Sequence, residues 1–235
     1  LLILKDPGGE PLPRSGAPCA DAGAFVAFAL RLTAAVGAMH AAGVLHRALT
    51  PDRMLLCEDG RACLTGFGQA ATFGGEDKVA GDDQLSWDED SFNYMAPELG
   101  ARMNLRVDAR ADLYALGCIF YESMTGRLPF EGADAAARVH AHATRVARAP
   151  AELVPGLPEQ LSLLVMKLLE KTPEHRYADA AGVLADLRRC ETLLRQHGRI
   201  PRFALDAHSA LRKPGGTGLV LGRDAELQAL LALYR

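Results

Sequence analysis

The stretch ADLYALGCIFYESMTG, residues 111–126, carries apolar side chains almost all the way round a helical wheel. A helix with no polar face cannot lie on a surface, so other elements must enclose it on every side. The chain has 235 residues, 49% of them apolar, which is enough material to build that enclosure as a substantial core.

The rest of the sequence supplies the surrounding elements. From Asp21 to about Ala42, apolar residues recur at helical spacing (Phe25, Phe28, Ala29, Leu32, Val36, Met39), with Asp21 at an N-cap position and Gly43 where a helix stops. DAAARVHAHATR, PEQLSLLVMKLLEKT and DAAGVLADLRRCETLLRQHG predict three more helices, the last two amphipathic. RMLLCEDGRACLTGF predicts two short strands around a two-residue Asp59-Gly60 turn. LLIL at the start reads as a buried strand, ended by KDPGGEPLPRSG, whose Pro and Gly content excludes regular structure. Residues 69–95 read as one long acidic loop, with Glu76, Asp77, Asp82, Asp83, Asp88, Glu89 and Asp90 against a single Lys78. The expected class is α+β: mostly helical, with one hairpin and no internal repeat.

Composition excludes several functions. A net charge of −3 leaves no positive field for nucleic acid or anionic lipid. The five cysteines show no C-x-x-C pair and no zinc-like spacing with histidine, which points to a reduced, cytoplasmic protein. With Asp59-Gly60 as the turn, Cys57 would face Ala62, offset from Cys63, so no disulfide is expected there. No apolar run approaches the length of a bilayer span, and the first residues lack a basic leader. His140 and His142, two apart on a helix, face different directions and form no metal pair.

Six motifs in fixed order then resemble the large lobe of a eukaryotic-type Ser/Thr protein kinase. HRALTP (46–51) stands at the catalytic loop, TGFG (65–68) at D-F-G, YMAPEL (94–99) at A-P-E, DLYALG (112–117) at the central helix, and GRLPF (126–130) and EKTPEHRY (170–177) complete the set. The wording is most similar to the kinase-like domain at the head of large bacterial multidomain signalling proteins, in which an AAA-type ATPase and then sensor and histidine-kinase modules follow. The resemblance implies a protein kinase-like fold with the small lobe largely absent from the chain. Residues 1–10 would be the end of the small lobe and the hinge, 11–198 the large lobe, 199–219 a linker, and 220–235, with LVLGRDAELQALL, the start of the ATPase domain. The chain begins with Leu and reads as a fragment of something longer.

Phosphoryl transfer needs a carboxylate to orient the attacking hydroxyl and oxygen ligands to hold the metal. At the position of the base stands Ala48, whose methyl accepts no proton. Thr50 replaces the basic residue two places on. The metal-binding Asn falls on Arg53, which has five donors and no acceptor. The metal-binding Asp of D-F-G is Gly66. No catalytic residue is intact, and the expectation is a pseudokinase without a metal site. ATP is admitted as a ligand and magnesium disfavoured.

The architectural positions persist. Glu98 and Arg176 match a buried ion pair, Asp112 matches the carboxylate that caps the catalytic-loop backbone, and His46 and Phe67 match packing residues beneath the site, with Gly68 completing the motif. Arg47 matches a residue that grips the activation segment, where an Asp or Glu of the acidic loop is expected to pair with it; a solvated acidic loop is the plainer alternative. Leu55 matches the apolar floor under adenine, and Lys5 and Pro7 lie in the hinge, where proline lacks the N–H that would bind the base. The leading expectation is an inactive regulatory or interaction module whose partners are the other domains of the same polypeptide. A divergent active Ser/Thr kinase and an ATP-binding switch without turnover are the alternatives.

Overall fold

The computed structural model describes residues 9–12, 21–73, 87–100 and 107–207. Its long elements begin where the sequence supplies an acidic cap. Helices α1 (Ala22–Ala41), α3 (Ala109–Thr125), α4 (Ala135–Thr144) and α7 (Ala180–His197) start after Asp21, Asp108, Asp134 and Asp179, and each carboxylate accepts a backbone N–H of the first turn. Such a cap contributes about 1 kcal/mol. Left-handed Gly126 and Gly198 end α3 and α7. The remaining helices are the short α2 (Pro97–Gly100) and α5 (Pro150–Leu153), and α6 (Glu159–Leu168).

Helix α3 is the enclosed post that its composition demands: from Ala111 to Tyr121 every residue is buried. Phe120 packs edge-on against Phe25 of α1, with ring centroids 5.5 Å apart. On its other side α3 runs so close to α6 that a Cβ on Gly117 would stand 2.7 Å from Leu168 Cβ, so only glycine permits this approach. Helix α1 lays its Phe25, Val26, Ala29, Leu32, Val36 and Met39 stripe into the same core.

Strands β3 (Met54–Leu56) and β4 (Ala62–Leu64) form the expected hairpin, but its connection is longer than the sequence suggests. Cys57 N donates to Arg61 O, Gly60 N donates to Cys57 O, and Gly60 lies at φ +80°. The loop is therefore the three residues Glu58-Asp59-Gly60, with glycine in its left-handed place. Cys57 faces Arg61 rather than Ala62, which corrects the expected register by one residue.

Three other expectations are revised. Part of the Pro/Gly segment expected to be irregular makes β1 (Glu10–Pro11), antiparallel to β3, because Leu55 and Leu56 leave an edge to pair. Within the expected acidic loop, β5 (Ala71–Thr72) pairs with β2 (Val44–Leu45), and Glu89–Asn93 forms a 3-10 turn. Finally, α1 is long and apolar enough to cross a membrane by length and composition, with a mean hydropathy of 1.7 over its best window, so an apolar run of that length does exist; in this fold one face of it is core.

The start of the expected linker is held against the lobe. The Gln160 side chain both donates to Phe203 O (3.1 Å) and accepts from Phe203 N (3.0 Å), and Asp186 accepts from Asp206 N (2.8 Å) and Tyr177 Oη (2.7 Å). The initial strand LLIL, Lys5, Pro7, Cys19, the acidic residues before Trp87, the rest of the linker and the ATPase-like stretch lie outside the described residues.

Candidate active site

The site is built on a loop whose backbone is fixed from below. Asp112, buried in the first turn of α3, accepts from His46 N (2.9 Å) and His40 Nε2 (2.9 Å) on one oxygen and from Arg47 N (2.8 Å) on the other. These bonds hold Arg47 at φ +65°, a left-handed conformation that a side-chain-bearing residue adopts only when its surroundings impose it. His46 is fully buried and its Nε2 bonds to Thr65 O (2.8 Å), which ties the loop to the end of β4. Burial lowers the His46 pKa, so the ring is neutral and donates that bond.

Phe67 stacks on His46 at 4.9 Å between centroids, yet 46% of it is exposed. Its packing is one-sided: left-handed Gly66 and the short 3-10 turn Phe67–Gln69 bring the ring onto His46 and leave nearly half of it uncovered. Gly68 is likewise open, with nothing near its absent Cβ. Leu55 lies half-buried between its strand partners Pro11 and Cys63.

The substituted positions converge on one side chain. Arg53 leaves the Pro51–Arg53 turn, donates from Nη1 to Ala48 O (2.6 Å), and pairs through Nη2 with the carboxylate of Asp88. Its aliphatic part lies across Gly66: a Cβ added there would be 2.8 Å from Arg53 Cδ. Thus the residue at the Asn position covers the residue at the D-F-G Asp position and touches the backbone at the base position. Among the described residues no group of three His, Cys, Asp or Glu side chains could hold a metal ion. The residues present do not fit a magnesium ion, because a hydrogen (Gly66) and a fixed cation (Arg53) stand at the two ligand positions of the motif. Thr50 is buried with its hydroxyl unbonded.

Asp88 is itself organised: it caps the Glu89–Asn93 turn, accepting from Ser91 N (2.8 Å) and Ser91 Oγ (2.5 Å). The next residue, Glu89, pairs with Arg138 of α4, which donates to its side chain and to its backbone carbonyl, both at 2.8 Å. Further on, Glu98 of α2 meets Arg176 in a bidentate pair, 2.6 and 2.8 Å, with both side chains buried. Arg176 also donates to Glu170 O, Arg110 O and Lys171 O, so all five of its N–H groups are bonded. Three arginines thus fasten residues 88–98 to three parts of the lobe. Arg47 gives Nε to Gln69 O (2.8 Å), and the acidic residues before Trp87, among which a carboxylate partner is expected for it, lie outside the described residues. Sequence reasoning missed Arg138 entirely and placed Asp88 only among the acidic residues of the loop; Asp88, three residues before Ser91, carried an N-cap signal that the acidic run concealed.

The family model described as protein kinase domain matches residues 19–186, well over half the chain. Histidine protein kinase 1 of Candida albicans is 44% identical over 100 residues, 42% of this chain and 4% of that protein. Hybrid signal transduction histidine kinase G of Dictyostelium discoideum is 30% identical over 165 residues, 62% of this chain and 5% of that protein. A probable serine/threonine-protein kinase PknB of Bifidobacterium longum is 39% identical over 94 residues, 40% of this chain and 13% of that protein. The chain spans only a small part of the length of each of these relatives.

Proposed function

This chain belongs to the protein kinase domain family, and on that premise we propose that its kinase fold serves as a catalytically inactive regulatory module. The observation that carries the reading is Arg53. Its guanidinium bonds Ala48 O and Asp88 while its stem lies over Gly66, so a fixed cation stands where a metal and its ligands would have to be. The protein's own cation takes up a carboxylate of the segment leading to Ala96-Pro97-Glu98, and that segment is held by salt bridges instead of by a nucleotide-bound metal. Such a domain offers a fixed surface rather than a turnover cycle.

Names of the relatives support a place in signal transduction, and two of them are histidine kinases far longer than this chain. We therefore read the chain as one module of a larger cytoplasmic signalling polypeptide whose partners are its other domains, an AAA-type ATPase among them. The test is phosphate transfer from labelled ATP to a generic Ser/Thr substrate, together with calorimetric titration of ATP with and without magnesium. The native chain should transfer nothing, and magnesium should not tighten ATP binding. Magnesium-dependent transfer that survives in Arg53→Ala would overturn the reading and restore the family's ordinary enzymatic activity.

A further inference from the structure

With the three-residue loop, Cys57 stands opposite Arg61 and Cys63 opposite Leu55, so the alternation of the strands puts Leu55, Cys57, Arg61 and Cys63 on one face. The opposite face, Met54, Leu56, Ala62 and Leu64, packs on the core. Cys57 and Cys63 are thus diagonal neighbours across the hairpin, and their sulfurs lie 3.1 Å apart as free thiols in hydrogen-bond contact. Among the described residues no other cysteine shares that face: Cys118 and Cys190 lie in the core at 0% exposure.

We propose that Cys57 and Cys63 form a redox-active dithiol that a peroxide closes into an intramolecular disulfide. Cys63 is half-buried and Cys57 only 7% exposed, so Cys63 is the sulfur that meets the oxidant. Its thiolate attacks one peroxide oxygen, the O–O bond breaks, and the departing hydroxide takes a proton to become water, leaving Cys63 as the sulfenic acid. Cys57 sulfur then attacks Cys63 sulfur; the S–O bond breaks as S–S forms, and hydroxide leaves with the Cys57 proton as a second water. Two thiols are oxidised and one peroxide is reduced to two waters. The order of events fits the hydrogen bond between the sulfurs, which holds the Cys57 thiol above its ordinary value and keeps its proton in place until the second step.

The disulfide would staple the hairpin beside Leu55, and it is independent of whether the domain turns over nucleotide. The sequence provides a direct readout, because Arg61 separates the two cysteines: trypsin releases Cys57 in residues 54–61 and Cys63 in residues 62–78. Folded full chain treated with hydrogen peroxide, alkylated and digested without reductant should yield these two peptides joined, lighter by two hydrogens, and separated again by reductant. Thiol titration of the denatured product should fall from five to three. Cys57→Ser and Cys63→Ser should each abolish the joined species. As a control that does not depend on how the serine variants fold, the native chain is also oxidised in urea, where preferential 57–63 linkage should be lost. Overoxidation of Cys63 alone, linkage of either sulfur to Cys19, or oxidation of Cys118 and Cys190 at the same rate would overturn the proposal.

Discussion

Replacing Glu98 with glutamine tests how the segment before α3 is held. The substitution keeps the size of the side chain and changes two things. It removes the charge opposite Arg176, and it turns one of the two oxygens, at 2.6 and 2.8 Å from the guanidinium, into an NH2 group that faces an N–H. Both side chains are buried, at 5% and 2% exposure, so the uncompensated guanidinium cannot turn to water. Breaking one partner of such a pair costs about 3–5 kcal/mol. That is a large share of the roughly 5–15 kcal/mol by which a domain is folded. At about 2–4 °C per kcal/mol for a domain of this size, the melting temperature should fall by about 6–20 °C. Urea unfolding followed by circular dichroism gives the free energy directly. The double variant Glu98→Leu, Arg176→Met removes the orphaned charge along with its partner, although Glu170, Lys171 and Arg110 carbonyls then lose a donor. It should therefore lose less than the sum of the two single variants, with a coupling of about 2 kcal/mol or more. A loss below about 1 kcal/mol for Glu98→Gln, or strict additivity in the double variant, would refute the reasoning.

Asp112→Ala should cost a comparable amount, about 3 kcal/mol or more, since it strips the partner from His46 N, Arg47 N and His40 Nε2 at once; urea denaturation measures it, and a loss under about 1 kcal/mol would mean that water replaces the carboxylate. Acid should destabilise the fold through His142, whose pKa burial and the charge of Lys171 push down to about 4. Between about 6.5 and about 4 the unfolded chain binds a proton that the folded one refuses, so stability is full above that window and falls as pH drops through it, by on the order of 3 kcal/mol. His46, shifted in the same direction, adds to the slope, and His142→Gln should flatten but not remove it in pH-dependent urea melts.

The helices were legible because their signals are local. An aspartate cap, a 3.6-residue apolar period and a terminal glycine all lie within one segment, and α1, α3, α4, α6 and α7 appear where the pattern puts them. The two-residue strands were not, because β1 and β5 have no pattern of their own and exist only through the edges of β3 and β2. The hairpin misled by a single residue: Asp-Gly suggests a two-residue turn, whereas here glycine ends a three-residue loop, and one step of register decides whether two cysteines meet. In the site, which residues stand at the base position 48 and at the ligand positions 53 and 66 could be read from motif spacing. That Arg53 would reach Asp88, 35 residues away, could not, since a long flexible side chain carries no signal of where its charge will land.

The contact between Arg53 and Gly66 also constrains the order in which this site could change. An aspartate arriving at 66 while Arg53 remains must place a Cβ 2.8 Å from its stem and adopt a left-handed backbone at φ +75°, so that step is penalised first on steric grounds. Shortening Arg53 first clears the space at the expense of the salt bridge to Asp88. The two positions are therefore epistatic, and any path toward a carboxylate at 66 passes through position 53 before position 66. Scoring the stability of the two single variants against the Arg53→Asn, Gly66→Asp double variant would show this order as a penalty at 66 that shrinks once residue 53 is short.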